Sequence, residues 1–245
     1  MASQKTHKAS ISYFRKPFSY LSMGLSLLFT INSYAQKIVK KFNQDSISVY
    51  LPSMTVTQNK FIPPEYDNAI KIALQYYPEL EKVKINIRIR KQSSPLAARP
   101  NVLAVFRKAS KRKYIITISN KTSSKFSTIM LSNLSFNSQA GVIGHELGHI
   151  CDYNKRYGLY FIKLLFMHLS KNKMDEFEYN TDMRCIEHGL GYQLLSWSKE
   201  VRLKLNLIQW KGIKQLHNNG RERYMNPESI MKEIEQNKIY GSLTN

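Results

Sequence analysis

Hydrophobic and polar residues follow two different periods along the chain, and the change between them predicts an α+β fold. The stretch PPEYDNAIKIALQYYPEL has apolar residues at helical spacing behind two prolines, which predicts a helix over 64–77. In KVKINIRIR, residues 82–90, every second residue is apolar, as in a half-buried strand. Two more strands are predicted at NVLAVFRK (101–108) and KYIITISN (113–120), joined by the basic turn KASKRK.

The second half of the chain has helical spacing almost throughout. We expect a helix that begins near Asn137 or Ser138 and carries HELGH, with Gly189 and Gly191 ending a later helix and Asn226-Pro227 starting the last one. The other predicted helical segments are YGLYFIKLLFMHLS (157–170), MDEFEYNTDMRCIEHGLG (174–191), YQLLSWSKEVRLKLN (192–206) and NPESIMKEIEQNK (226–238). The pattern therefore predicts a small N-terminal sheet with one helix packed on it, followed by a mainly helical half.

The N-terminus resembles an export signal. Residues 1–35 contain four basic and no acidic residues, then the apolar run Leu21–Ile31, then Ser33-Tyr34-Ala35. This order predicts a signal peptide cleaved after Ala35, and hence a periplasmic, cell-surface or extracellular protein. An uncleaved membrane anchor is the alternative. We expect an N-terminal arm over 36–60, which could fold over a cleft and inhibit it, and a single domain over 61–245.

The charge balance narrows the possible partners. The whole chain has a formal charge of +20. Such a charge could favour nucleic acid, anionic envelope polymers or acidic substrates, and contact with a membrane surface is a further alternative. Export argues against nucleic acid, and the scattered lysines are also compatible with a merely solvated basic surface.

Two cysteines, Cys151 and Cys185, are present, and an oxidising compartment would permit a disulfide between them. On regular helices they point toward different neighbours. We therefore expect buried thiols as the default.

The motif His145-Glu146-Leu147-Gly148-His149 predicts a zinc site on a helix. Histidines four residues apart leave one face, so both imidazoles can bind the same Zn²⁺. Glu146 then stands beside the metal, where a general base belongs. Ala140, Gly144 and Gly148 form a row of small residues away from the metal, which indicates close helix packing.

A catalytic zinc needs a third protein ligand and one open position. Asp152 lies on the same face, but about 10.5 Å along the axis from His145, and is expected to brace a neighbour instead. Glu178 is the better candidate because Asp182, four residues later, can accept the other ring N–H of a ligand histidine, which we expect to be His145. Glu176 has no such partner.

These residues resemble the gluzincin branch of the zincin metallopeptidases over about residues 138–191. The Glu178-to-Asp182 element is similar to that of the membrane CAAX-endopeptidase and heat-shock protease families, although the long transmembrane helices of those relatives have no counterpart here. The resemblance implies one Zn²⁺ per chain held by His145, His149 and Glu178, with Glu146 as general base and a protein or peptide substrate. It also implies a substrate aligned with an edge strand, for which we expect KYIITISN.

Gluzincins also supply a side chain that steadies the oxyanion. His188, Tyr192 and Tyr224 are the candidates by position. A different class of function stays open: a catalytically inactive, exported basic binding protein of the cell envelope whose zinc is structural or lost. The sequence offers no fourth histidine or cysteine at ligand spacing, which favours the catalytic interpretation.

Overall fold

The computed structural model describes residues 38–51, 57–101, 107–156, 160, 163–164, 170–206 and 222–243. Within these residues the fold is mixed α+β, with helices predominating, as the sequence predicts. The predicted signal peptide, nearly all of the predicted helix over 157–170 and most of the predicted strand over 101–108 lie outside the described residues. No helix in the described ranges is both long and apolar enough to cross a membrane.

Four strands form one mixed sheet in the order β1-β2-β4-β3. They are β1 (Lys60–Phe61), β2 (Lys84–Arg90), β3 (Leu96–Pro100) and β4 (Lys113–Ser119). β2 is parallel to β1 and β4, whereas β3 is antiparallel to β4. The alternation in β2 buries Ile85 and Ile87 as predicted, and their register partners Tyr114 and Ile116 are buried with them.

Five α-helices are described: α1 (Asp67–Gln75), α2 (Phe136–Lys155), α3 (Lys171–Cys185), α4 (Gly191–Lys204) and α5 (Pro227–Gln236). A 3₁₀ turn, Pro64–Tyr66, leads into α1, so the predicted start at the prolines is confirmed. The predicted start of the last helix at Asn226-Pro227 is confirmed as well. Two further 3₁₀ segments, Ser124–Ile129 and Leu131–Asn133, occupy the loop before α2.

Helix α2 is the centre of the domain, and it contacts α1, α3, α4 and β3. Every residue from Ala140 to Tyr153 is buried. Glycines allow this crowding. A Cβ on Gly141 would lie 2.2 Å from the carbonyl oxygen of Gln193 in α4, and one on Gly144 would lie 2.6 Å from Leu190. The packing row expected from the sequence is real, but the closest approach is at Gly141, outside that row.

Both ends of α2 are held by side chains. Ser135 is the N-cap, and its hydroxyl accepts from Ser138 N. The predicted cap at Asn137 or Ser138 was therefore wrong by two or three residues, because Asn137 uses its amide to bind the backbone of Phe42 instead. At the other end the buried guanidinium of Arg112 donates to the carbonyl of Tyr153, which stabilises the C-terminal end of the helix.

A π-helical turn, Ile186–Leu190, joins α3 to α4. Gly189 has φ +91°, a conformation that favours glycine, so the helix path breaks where the sequence predicts a stop.

The N-terminal arm packs beside this turn: Ile38 lies against Gly189, and the carbonyl of Val39 accepts a hydrogen bond from the side chain of Gln193. Phe42 and Val39 of the arm thus contact α2, α4 and Tyr76, and inhibition of the cleft by the arm stays a prediction.

The outward face of the sheet is cationic. The register places five basic side chains on it: Lys84, Arg88, Arg90, Arg99 and Lys113. All of them are exposed except Arg88, which is half-buried, and the four strands contain no acidic residue. Burial and the like charges of Arg90 and Arg99 lower the pKa of Arg88.

The contact at Gly141 gives a direct test of the packing of α2. We expect Gly141→Ala to lower the free energy of unfolding by about 1–3 kcal/mol, because the added methyl meets backbone atoms that cannot rotate away. Gly241→Ala is the control, since nothing lies within 4 Å of its Cβ position. Chemical denaturation of both variants measures the effect, and equal stabilities would contradict the packing described.

Candidate metal centre

Three predicted ligands meet at one point between α2 and α3. His145 Nε2 and His149 Nε2 each lie 3.2 Å from the same carboxylate oxygen, Glu178 Oε2. All three side chains are buried. The structure thus brings together a group of His, His and Glu atoms, all within 4.8 Å of one another, that could hold a metal ion.

The outer nitrogens of both imidazoles are fixed by hydrogen bonds. His145 Nδ1 lies 2.7 Å from Asp182 Oδ1, the pairing expected from the sequence. His149 Nδ1 lies 3.2 Å from Thr181 Oγ1. That hydroxyl donates its only hydrogen to the carbonyl of Phe177, so it must accept from His149. Both Nδ1 atoms therefore carry hydrogen, and both Nε2 atoms turn toward Glu178.

This arrangement leaves acceptors facing one another. In neutral histidines, two Nε2 lone pairs and one carboxylate oxygen would meet with no hydrogen between them, which is unfavourable in a buried site. Extra protons or a cation must be shared among them. In tetrahedral zinc coordination with bonds of about 2.0–2.1 Å, neighbouring ligand atoms are about 3.3 Å apart, close to the spacing seen here. The donor set fits Zn²⁺.

The electrostatics point the same way. Burial alone would lower the pKa of His145, but the charge of Asp182 and hydrogen bonds to Asp182 and Glu178 raise it well above its usual range. Burial alone would raise the pKa of Glu178, yet the histidine charges hold it well below its usual range. The cluster therefore favours positive charge beside an ionised Glu178.

Glu146 lies next to this cluster on α2 and is buried with it. Its Oε2 accepts from the backbone N–H of Ala98 in β3, at 2.5 Å. Burial raises the pKa of Glu146, while the two histidines and the Ala98 N–H oppose that rise. A carboxylate with a raised pKa, held on one oxygen, is suited to take up and release a proton.

The strand beside the site is β3, and the expectation for KYIITISN was wrong. That segment forms β4, which lies between β2 and β3, so it has no free edge. Among the described residues β1 and β3 are the two edge strands, and β3 is the one beside the site. Pro95 and Asn101, which flank β3, each form a backbone hydrogen bond with β4, so by alternation Ala98 points its N–H away from β4, toward Glu146. The sequence missed this strand because prolines flank its short, weakly patterned centre.

Only one of the three oxyanion candidates lies at the cluster. The Tyr224 ring centroid is 5.8 Å from that of His145. Burial and the charge of Glu178 raise the pKa of Tyr224, so its hydroxyl keeps its proton. Tyr192 packs edge-on against Tyr240 instead. His188 uses its ring nitrogens on Arg184 O and Glu79, in a separate group of side chains.

Asp152 braces neighbours, as expected. Its carboxylate accepts hydrogen bonds from Arg156 at 3.1 Å and from Tyr160 at 3.0 Å.

Cys151 and Cys185 are both buried free thiols, which confirms the default expectation for them. Asp152, Cys151 and Cys185 contribute no ligand atom to the His-His-Glu group.

Sequence reasoning missed two participants, Thr181 and the backbone of Ala98. Thr181 carried a usable signal, because it lies three residues after Glu178 and so shares its helix face. The sequence carried no signal for Ala98, since its backbone N–H contributes through the path of the strand rather than through a side chain.

Comparisons of the chain with protein-family models, curated proteins and solved structures found no match.

The role of Thr181 can be tested by its hydroxyl. We expect Thr181→Val to weaken Zn²⁺ binding by roughly 10–100-fold, because His149 Nδ1–H loses its acceptor while the packing volume is kept. Thr181→Ser retains the hydroxyl and should bind nearly as tightly as the wild type. Competition with a zinc chelator measures both affinities; identical affinities for all three proteins would exclude this role.

Proposed function

We propose that the protein is a zinc-dependent metallopeptidase of the gluzincin type that hydrolyses peptide bonds with Glu146 as general base. One observation carries the proposal: the Nε2 atoms of His145 and His149 converge on Glu178 Oε2, with a buried carboxylate next to them. The three protein ligands leave a fourth position for water or substrate, as in catalytic zinc sites.

Each residue has a role in this mechanism. When bound by His145, His149 and Glu178, Zn²⁺ supplies Lewis acidity that acidifies a water and polarises the scissile carbonyl. Glu146 removes the proton from the attacking water and delivers it to the departing amine. The N–H of Ala98 keeps one oxygen of Glu146 in place, so the other oxygen is directed toward the reacting water.

Asp182 and Tyr224 complete the proposed site. Asp182 fixes the ring of His145 through Oδ1 and accepts from the backbone of Met225 through Oδ2. The adjacent Tyr224 is thereby held near the ligands. Its protonated hydroxyl would donate to the oxyanion that forms during attack.

The proposed substrate is a protein or peptide segment laid antiparallel to β3. On the outer side of β3 the N–H of Ala98 is already donated to Glu146 and Pro100 has no N–H, so an extended chain would pair with the N–H of Leu96 and with the outward carbonyl groups beside the site. Such binding would bring a substrate carbonyl to the reacting centre. The zincin-like identity of the fold is part of this proposal.

A second candidate function is favoured by the cationic sheet face. Lys84, Arg90, Arg99 and Lys113 are exposed on one surface without acidic neighbours in the strands, which suits an anionic envelope polymer or membrane surface. A catalytically inactive basic binding protein would use this face alone. For either function we propose export after cleavage near Ala35, with an N-terminal membrane anchor as the alternative.

Metal content and activity together separate the two functions. We expect about one Zn²⁺ per chain at the His-His-Glu centre of the wild type, lost in Glu178→Ala and retained in Glu146→Gln. Activity on casein, an unstructured substrate, should fall by roughly 10²–10⁴-fold in Glu146→Gln, because only the proton transfer is removed. A wild type that stays zinc-free after refolding with zinc and does not cleave casein would refute the peptidase and favour the binding protein, whereas a fully active Glu146→Gln would remove Glu146 as the general base.

Tyr224 can be tested against a tyrosine that lies elsewhere. We expect Tyr224→Phe to lower kcat by roughly 10²–10³-fold with little change in KM, because the lost hydrogen bond forms only as the oxyanion develops. Tyr192→Phe is the matched control and should keep wild-type kinetics, since it packs against Tyr240. Equal kcat values for the two variants would remove Tyr224 from the mechanism.

A further inference from the structure

A second group of ligand-type side chains lies on another flank of α2. Glu79, from the 3₁₀ turn Pro78–Leu80, accepts from Cys151 Sγ at 3.3 Å. His188 Nε2 lies 2.8 Å from the same Glu79 oxygen. Three elements that are distant in sequence thus supply a carboxylate, a thiol and an imidazole whose ligand atoms all lie within 4.8 Å of one another.

This group is separate from the His-His-Glu centre. Cys151 follows His149 by two residues, a rotation of about 200° around the helix, so the two side chains leave opposite sides of α2. The two groups share no residue. Whatever binds at one does not use the ligands of the other.

The orientation of His188 is fixed in the way typical of a metal-binding histidine. Its Nδ1 lies 2.7 Å from the carbonyl oxygen of Arg184, which can only accept, so Nδ1 carries hydrogen. Its ring stacks on Tyr77, with centroids 4.2 Å apart and planes at 15°. Nε2 is therefore directed at Glu79 and Cys151 by two independent contacts.

We propose that Glu79, Cys151 and His188 form a second metal site, for Zn²⁺ or a similar thiophilic divalent cation. One thiolate, one imidazole and one carboxylate are ligands that zinc accepts together, and solvent completes the tetrahedron. Binding displaces the thiol hydrogen and any hydrogen on Nε2 to solvent, since only the deprotonated groups coordinate. The site ties α2 to the turn before β2 and to the π-helical turn.

The geometry allows a cation to enter with a small adjustment. Without metal, the 2.8 Å contact between His188 and Glu79 is a direct hydrogen bond, whereas ligand atoms around zinc are about 3.3 Å apart. The side chain of Glu79 is 35% exposed and that of His188 is 19% exposed. The carboxylate can therefore move outward, while the buried Cys151 stays in place as the anchor.

Cobalt(II) distinguishes this site from the His-His-Glu centre, because only a thiolate ligand produces sulfur-to-cobalt charge-transfer absorption in the near ultraviolet. We expect the metal-free full chain to develop this absorption on titration with Co²⁺. Cys151→Ser should abolish it, and Cys185→Ser, the matched control with the other buried thiol, should preserve it. Glu178→Ala should also preserve it, so failure of the proposed peptidase centre does not affect this result.

Two further variants guard against loss of folding. Glu79→Gln and His188→Gln keep the thiol. Each should lower the affinity for Co²⁺, measured by titration of the absorption, by at least the roughly 10–100-fold that loss of an outer hydrogen-bonding partner costs. Circular dichroism of the metal-free proteins verifies that they are folded. A folded wild type without the absorption at saturating Co²⁺, or a signal that survives in Cys151→Ser, would overturn the second site.

Discussion

The buried carboxylate of Asp182 is the constraint on which the arrangement of the proposed site depends. One oxygen fixes the ring of His145 on α2, and the other accepts from Met225 N, which directly follows Tyr224. Asp182 itself is fully buried in α3, one turn after Glu178. A single anion thus joins three parts of the chain, and the ligand, its orienting partner and the nearby tyrosine are positioned together.

Helix α2 can occupy the centre because its sequence resolves a conflict between chemistry and burial. It carries the candidate metal ligands on one side, which need buried partners, and glycines on others, which let neighbouring backbones approach. The hydroxyl of Tyr77 donates to the carbonyl of Gly144 at 2.6 Å, so even the backbone exposed by a glycine is satisfied. Close packing then excludes water from the polar contacts and strengthens them.

The sequence predicted what depends on local periodicity and on motif spacing. The helix after Pro64, the strand containing Ile87, and the pairing of His145 with Asp182 all depend on residues a few positions apart, or on a motif whose spacing encodes one helix face. The strand Leu96–Pro100 and its edge position could not be predicted, because pairing with β4 is decided by distant residues. The cap at Ser135 was missed for a similar reason, since a contact with the distant Phe42 occupies Asn137.

The bond between Asp182 and Met225 also has a consequence for biosynthesis. His145, Asp182 and Met225 are separated by long stretches of chain, and the proposed centre is complete only when the last of them has left the ribosome. A partly synthesised chain would contain the HELGH helix without the partners that orient it. Under the proposed function, competence for hydrolysis would then arise only after Met225 has been synthesised, which would protect the nascent chain and its neighbours from premature cleavage.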